Sequence, residues 1–201
     1  MVMTPGLRKF ALTAHVTSSI GWFGGVAAFL ALAVAGLTSQ DRELVRAAYL
    51  AMDVTTWFVI VPLALVSLLS GVVSSLGTKW GLFRYYWVLF KLALTILATI
   101  GLYGHTGEIS LLAGVAAKTT VFSADLHKQQ IEIVAAPAAA LVVLLVLTVL
   151  SVYKPRGMTP YGQRKQYEQR KDVTVVDAAT DQAQGIVREL EGNGVHAATS
   201  K

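Results

Sequence analysis

Apolar residues in this chain gather into four long runs, at about residues 10–37, 44–76, 83–105 and 131–153, separated by polar clusters. Each run reaches the ~20 residues that a helix needs to cross a hydrocarbon core. The pattern predicts an all-α, integral membrane four-helix bundle over residues 1–154 and a polar, largely disordered tail over 155–201 with a short helix around Asp177–Leu190. Helix 1 ends at Gly36-Leu37-Thr38-Ser39, and the connection Gln40-Asp41-Arg42-Glu43 is short enough to force an antiparallel hairpin. The second run would extend ~50 Å at ~1.5 Å per residue, so it must tilt, kink or protrude. Pro62, which removes a donor and crowds the carbonyl of Phe58, is the expected kink. Trp80, Phe83, Tyr85, Tyr86 and Trp87 read as an interfacial aromatic belt opening helix 3. Residues 106–130 read as the one long connection, with Ile109–Ala117 a candidate surface helix inside it. Pro137 is expected near the start of the last span, where first-turn donors lack helical partners anyway.

Composition narrows the chemistry. The content of hydrophobic residues is 54% and that of charged residues 14%, too apolar for one small water-soluble domain of 201 residues. The absence of cysteine excludes disulfides, thiolate zinc sites, cysteine-held iron–sulfur clusters and c-type haem attachment. Any metal must be held by His, Met or carboxylates. The formal net charge is +5, and six of the basic residues lie between Lys154 and Lys171, directly after the last apolar run. That placement favours a membrane surface over nucleic acid. Lys154, Arg156, Arg164 and Lys165 are expected to hold the tail on anionic headgroups at ~1 kcal/mol per charge.

The first run is far longer than the ~7–15 residues of a signal-peptide core, so it reads as a retained span. Segments 1–9, 38–46, 77–84 and 106–132 hold two Lys or Arg each, whereas 154–171 holds six. By the positive-inside rule both termini are cytoplasmic, and the expected location is the bacterial cytoplasmic membrane.

No motif names a reaction, so the candidates are ionisable residues inside the spans. Arg84, Lys91, Ala98 and His105 recur every seven residues, with Thr95 close to the same line, and such a stripe should face the bundle interior. An intramembrane Lys is costly and hence a functional candidate, with snorkelling to the interface the plain alternative. Arg8, His15 and Trp22 form a similar row on helix 1, beside Ser18 and Ser19, and His15 should lie at the depth of Lys91. Imidazole suits haem ligation or proton transfer, but also a simple interhelical hydrogen bond. The Gly21-x-x-x-Gly25 spacing allows close helix approach. Toward the other side, Asp53 and His105 are a candidate metal site. Lys91 and His105 are ~21 Å apart along the axis, so His15 and His105 cannot clasp one haem iron together. Helix 4 has no polar residue between Pro137 and Thr148 and reads as scaffold.

Several segments carry a resemblance: Leu30–Ser39, Arg46–Met52, Trp57–Leu65, Leu76–Leu92 and Val149–Gly162. Over residues 7–162 the chain resembles a family of uncharacterised bacterial four-span membrane proteins, a domain of unknown function. His15 followed by Trp22-Phe23-Gly24-Gly25, with Lys91-Leu92 in helix 3, also looks like the pattern of J-type protoporphyrinogen oxidases and copper-resistance D-type membrane proteins. That resemblance implies a haem-binding role for His15 and a functional role for Lys91. The chain departs from it where an Arg-containing stretch after the Trp is replaced by Ala-Ala-Phe-Leu-Ala-Leu. The leading expectation is therefore a pocket near His15, Trp22 and Lys91 for haem b, a porphyrin or a quinone. The rivals are a non-catalytic subunit of a homo-oligomer or larger membrane complex, and metal handling at Asp53 and His105.

Overall fold

A computed structural model describes residues 3–77, 82–118, 127–155 and 157–198, and it is all-α. The elements are α1 (Pro5–Thr38), α2 (Arg42–Thr55), α3 (Val61–Leu76), α4 (Tyr86–Lys118), α5 (His127–Tyr153) and α6 (Pro160–Ala198). A π-helical turn, Thr56–Ile60, joins α2 to α3, so that Arg42–Leu76 is one continuous helix. Among the described residues, four helices are long and apolar enough to cross a membrane: Pro5–Thr38, Arg42–Leu76, Tyr86–Lys118 and Ile131–Tyr153.

Local chemistry sets the helix ends. Thr4 caps α1, its hydroxyl accepting from the Leu7 amide, and Pro5 follows where its missing N–H costs nothing. Asp41 caps α2, with Oδ1 accepting from the Glu43 and Leu44 amides at 2.9 and 3.5 Å. The helix does not break at Pro62. It widens just before it, the Val61 amide bonding to Thr56 while the Thr56 hydroxyl donates to the Met52 carbonyl at 2.8 Å. A π turn thus accommodates the donor that proline lacks.

Met1–Gly157 forms one compact unit. In it α1 packs on α2, α3 and α5, and α4 packs on the same three helices from the other side, so α1 and α4 look at each other across the middle. The buried stripe of α1, Ser18, Trp22, Val26, Phe29, Ala33 and Gly36, repeats every three or four residues, as a helix with one inward face requires. Glycine sets the closest approach. A Cβ on Gly21 would stand 3.0 Å from Leu63, and one on Gly25 would stand 3.3 Å from Ile60.

The expected loop and surface helix over 106–130 are replaced, up to Lys118, by a straight continuation of α4. Ile109, Leu112, Ala113 and Ala116 are buried there, and Leu112 shares the core with Tyr49 and Met52 of α2. Apolar residues at i, i+3, i+4 and i+7 are a helical period, and α2 offers them a matching face. Residues 119–126 lie outside the described residues, as do 78–81 and therefore Trp80. Because α5 begins at His127, Pro137 falls in its interior instead of its first turn, and the Ile133 carbonyl loses its usual i+4 donor.

Met158–Lys201 is a second unit, in which the helix expected around Asp177–Leu190 is part of a longer one, the 39-residue α6, that takes up most of the segment expected to be largely disordered. Thr159 caps it, its hydroxyl accepting from the Gly162 amide at 3.1 Å. Lys165 pairs with Glu168 at 3.5 Å, and the Lys171 ammonium lies 4.9 Å from the Tyr167 ring centre.

Candidate functional site

His15 and Lys91 come from helices at opposite corners of the first unit and both turn inward. The His15 ring lodges against α3, where Nδ1 lies 3.0 Å from the Ser67 carbonyl and 3.3 Å from the Ser70 hydroxyl. A carbonyl only accepts, so Nδ1 carries the proton and Nε2 holds a free lone pair. Ser70 donates its own proton to the Val66 carbonyl and so receives from Nδ1. The room for the ring is made by Gly71, where a Cβ would stand 3.0 Å from His15 Cε1. Ser19 and Ser67 bond across the same α1–α3 seam at 2.7 Å, and the Ser18 hydroxyl donates to the His15 carbonyl at 3.1 Å.

Lys91 also finds its partner on a neighbouring helix. Its ammonium donates to the Ser151 hydroxyl at 2.6 Å, and that hydroxyl donates on to the Leu147 carbonyl at 2.8 Å. Helix α5, read from sequence as scaffold, therefore supplies the partner of the half-buried cation. His15 on α1 and Lys91 on α4 thus each find hydroxyl partners on a neighbouring helix, His15 at Ser70 of α3 and Lys91 at Ser151 of α5. The remaining members of the two sequence rows divide between inside and outside. Trp22 is 3% exposed and Thr95 8% exposed, whereas Arg8 faces outward and Arg84 precedes α4.

Trp22 lines a cavity of about 300 Å³. The cavity is walled by α1, α4, α5 and the Thr56–Ile60 turn, and does not extend to His15 or Lys91. His105 stands on its wall with Glu108, the imidazole Nδ1 2.9 Å from the carboxylate.

Asp53 is occupied elsewhere. Its Oδ1 accepts from the Ser110 hydroxyl at 2.7 Å, and Ser110 in turn accepts from the Trp57 indole N–H at 3.3 Å. Asp53 and His105 thus keep separate partners. Among the described residues no three His or carboxylate side chains are grouped to hold a metal ion.

The sequence reading missed Ser67, Ser70, Gly71, Ser151, Glu108 and Ser110. The run Ser67-Leu68-Leu69-Ser70-Gly71 is the one available signal, because hydroxyls and a glycine at one- and three-residue spacing mark a face open to a neighbouring side chain. Comparison of the chain with protein-family models, with curated proteins and with solved structures finds no match in any of the three.

Proposed function

We propose that this chain is a four-span integral membrane protein of the bacterial cytoplasmic membrane, with both termini cytoplasmic, and that a site at His15 and Lys91 binds a haem-type iron porphyrin. Support for the membrane comes from the side chains that the helices present outward. Ile20, Phe58, Leu69, Leu97, Ile100 and Val142 are all 63–78% exposed. A continuous apolar exterior of this kind is a liability in water and a solvated surface in lipid. Its helices of 33 to 35 residues run ~50 Å, well beyond a ~30 Å hydrocarbon core. The excess falls where α2 is amphipathic, with Arg42, Glu43 and Arg46 exposed and Ala48, Tyr49 and Met52 buried. That end forms a water-facing cap on the outer side. Lys154, Arg164 and Lys165 would meet anionic headgroups on the inner side.

The single observation that carries the haem reading is the state of His15. Its proton is committed to Ser67 through Nδ1, which leaves Nε2 as a neutral donor to a metal. The donor chemistry fits: Nε2 would hold the iron, and the Lys91 ammonium would meet a porphyrin carboxylate. Bound there, the group would supply electron-transfer chemistry. Ser67 and Ser70 orient the imidazole, and Ser151 holds the Lys91 ammonium. Protein extracted in mild detergent is expected to carry a Soret band that is lost in His15→Ala and weakened in Lys91→Met. A wild-type protein that has no such band, and gains none when hemin is added, overturns the haem reading.

A further inference from the structure

The cavity beyond Trp22 has its own chemistry. On α4 its wall runs from Leu94 to Ile109, fifteen residues or ~22 Å along the helix. A volume of about 300 Å³ spread over that length is long and thin, at the lower limit of the ~300–1,000 Å³ usual for ligand sites. An elongated apolar space of this kind suits a single hydrocarbon chain. The space exists because small residues face one another, Ala98 and Gly101 on α4 and Ala136 and Ala140 on α5. A Cβ on Gly101 would meet nothing within 4 Å.

Besides the Trp22 indole and a Thr56 hydroxyl already committed to the Met52 carbonyl, its polar side chains are His105 and Glu108 toward the Ile109 end of the α4 wall, bonded to each other and 44% and 42% exposed at the rim. Pro137 and Ile133 also line the cavity, and Pro137 leaves the Ile133 carbonyl without its i+4 donor, so α5 carries a spare backbone acceptor beside it. The cavity thus offers an imidazole, a carboxylate and a backbone carbonyl, an acceptor-rich set suited to a hydroxyl and hostile to an anion. We propose that this cavity is a binding site for a single-chain neutral amphiphile, its hydrocarbon chain lying along α4 toward Trp22 and its hydroxyl head at His105, Glu108 and the Ile133 carbonyl. The site needs the membrane reading for its ligand to be at hand, but it is independent of whether His15 binds haem.

Trp22 is the reporter. In lipid nanodiscs, a brominated long-chain alcohol is expected to quench tryptophan emission saturably, with one equivalent at saturation, and the saturable part should vanish in Trp22→Phe. Gly101→Leu fills the channel and should abolish saturation while leaving the folded protein intact by circular dichroism. His105→Ala with Glu108→Ala should weaken the alcohol about tenfold, the loss expected for hydrogen bonds to charged or polarised groups. The brominated fatty acid of equal length should bind at least tenfold more weakly than the alcohol. Quenching that is linear in probe and equal in wild type and Gly101→Leu means partition into bulk lipid, and overturns the site. Saturable binding in which the acid equals the alcohol, or in which the double variant is unchanged, overturns the assignment of the head group. A wild-type Soret band that survives Gly101→Leu keeps this result separate from the fate of the haem reading.

Discussion

Leu112→Ala separates a water-facing cap from one more turn of helix in lipid. Leu112 is fully buried, packed with Tyr49 and Met52 on the part of α4 that runs past the hydrocarbon core in the proposed placement. Alanine removes three carbons. At ~0.8 kcal/mol per methylene the transfer loss is about 2.4 kcal/mol, and the cavity left behind raises the total into the ~2–5 kcal/mol range of buried leucines in water. Inside the bilayer the transfer part disappears, because lipid tails are as apolar as leucine, and only lost packing remains. Leu144 on α5 is the matched control, buried at 6% exposure within the last span. Titration of each variant with denaturing detergent in mixed micelles, followed by circular dichroism, should give about 3 kcal/mol for Leu112→Ala and on the order of 1 kcal/mol for Leu144→Ala. A cost for Leu112→Ala no larger than for Leu144→Ala would refute the water-facing cap.

The polar residues yield further expected outcomes. The Ser19–Ser67 hydrogen bond should give a coupling of ~0.6 kcal/mol, and at most ~1.7, in a double-mutant cycle of the two alanine variants measured by the same detergent titration. Gly71→Ala should leave stability within about 1 kcal/mol of wild type, because the gain in helix propensity offsets the displaced ring. It should nevertheless lower the porphyrin content of purified protein, since the new methyl presses on His15 Cε1. Lys91→Met should insert and survive heating at least as well as wild type, a central lysine costing about 2.5–3.5 kcal/mol on insertion scales, while its Soret absorbance falls. A Lys91→Met protein that is less stable than wild type would mark the lysine as a structural anchor.

Much of the architecture is legible in the sequence because its signal is length and hydrophobic period. The four apolar runs, the hairpin at Ser39–Asp41 and the close approach at Gly21 and Gly25 all depend on local pattern. Misreadings occur where a tertiary partner decides the outcome. Residues 106–118 look like a connection because Thr106, Gly107 and Glu108 interrupt the run, yet the face of α2 carrying Tyr49 and Met52 buries Ile109, Leu112 and Ala116 and keeps the helix going. Pro62 reads as a kink, but the π turn before it depends on Thr56 finding the Met52 carbonyl. In the same way His15 and Lys91 stand out singly as costly residues in apolar helices, whereas Ser67, Ser70 and Ser151 are too common in membrane helices to be noticed until the fold brings them within 3.3 Å of those two.

The 15N spectrum of histidine-labelled, porphyrin-free protein in lipid nanodiscs reads the state of the proposed centre directly. His15 should resonate as the Nδ1-protonated tautomer with an unprotonated Nε2, and its signal should shift in Lys91→Met while that of His105 stays in place. A His15 ring protonated on Nε2, or one indifferent to the loss of the Lys91 ammonium, would contradict the account.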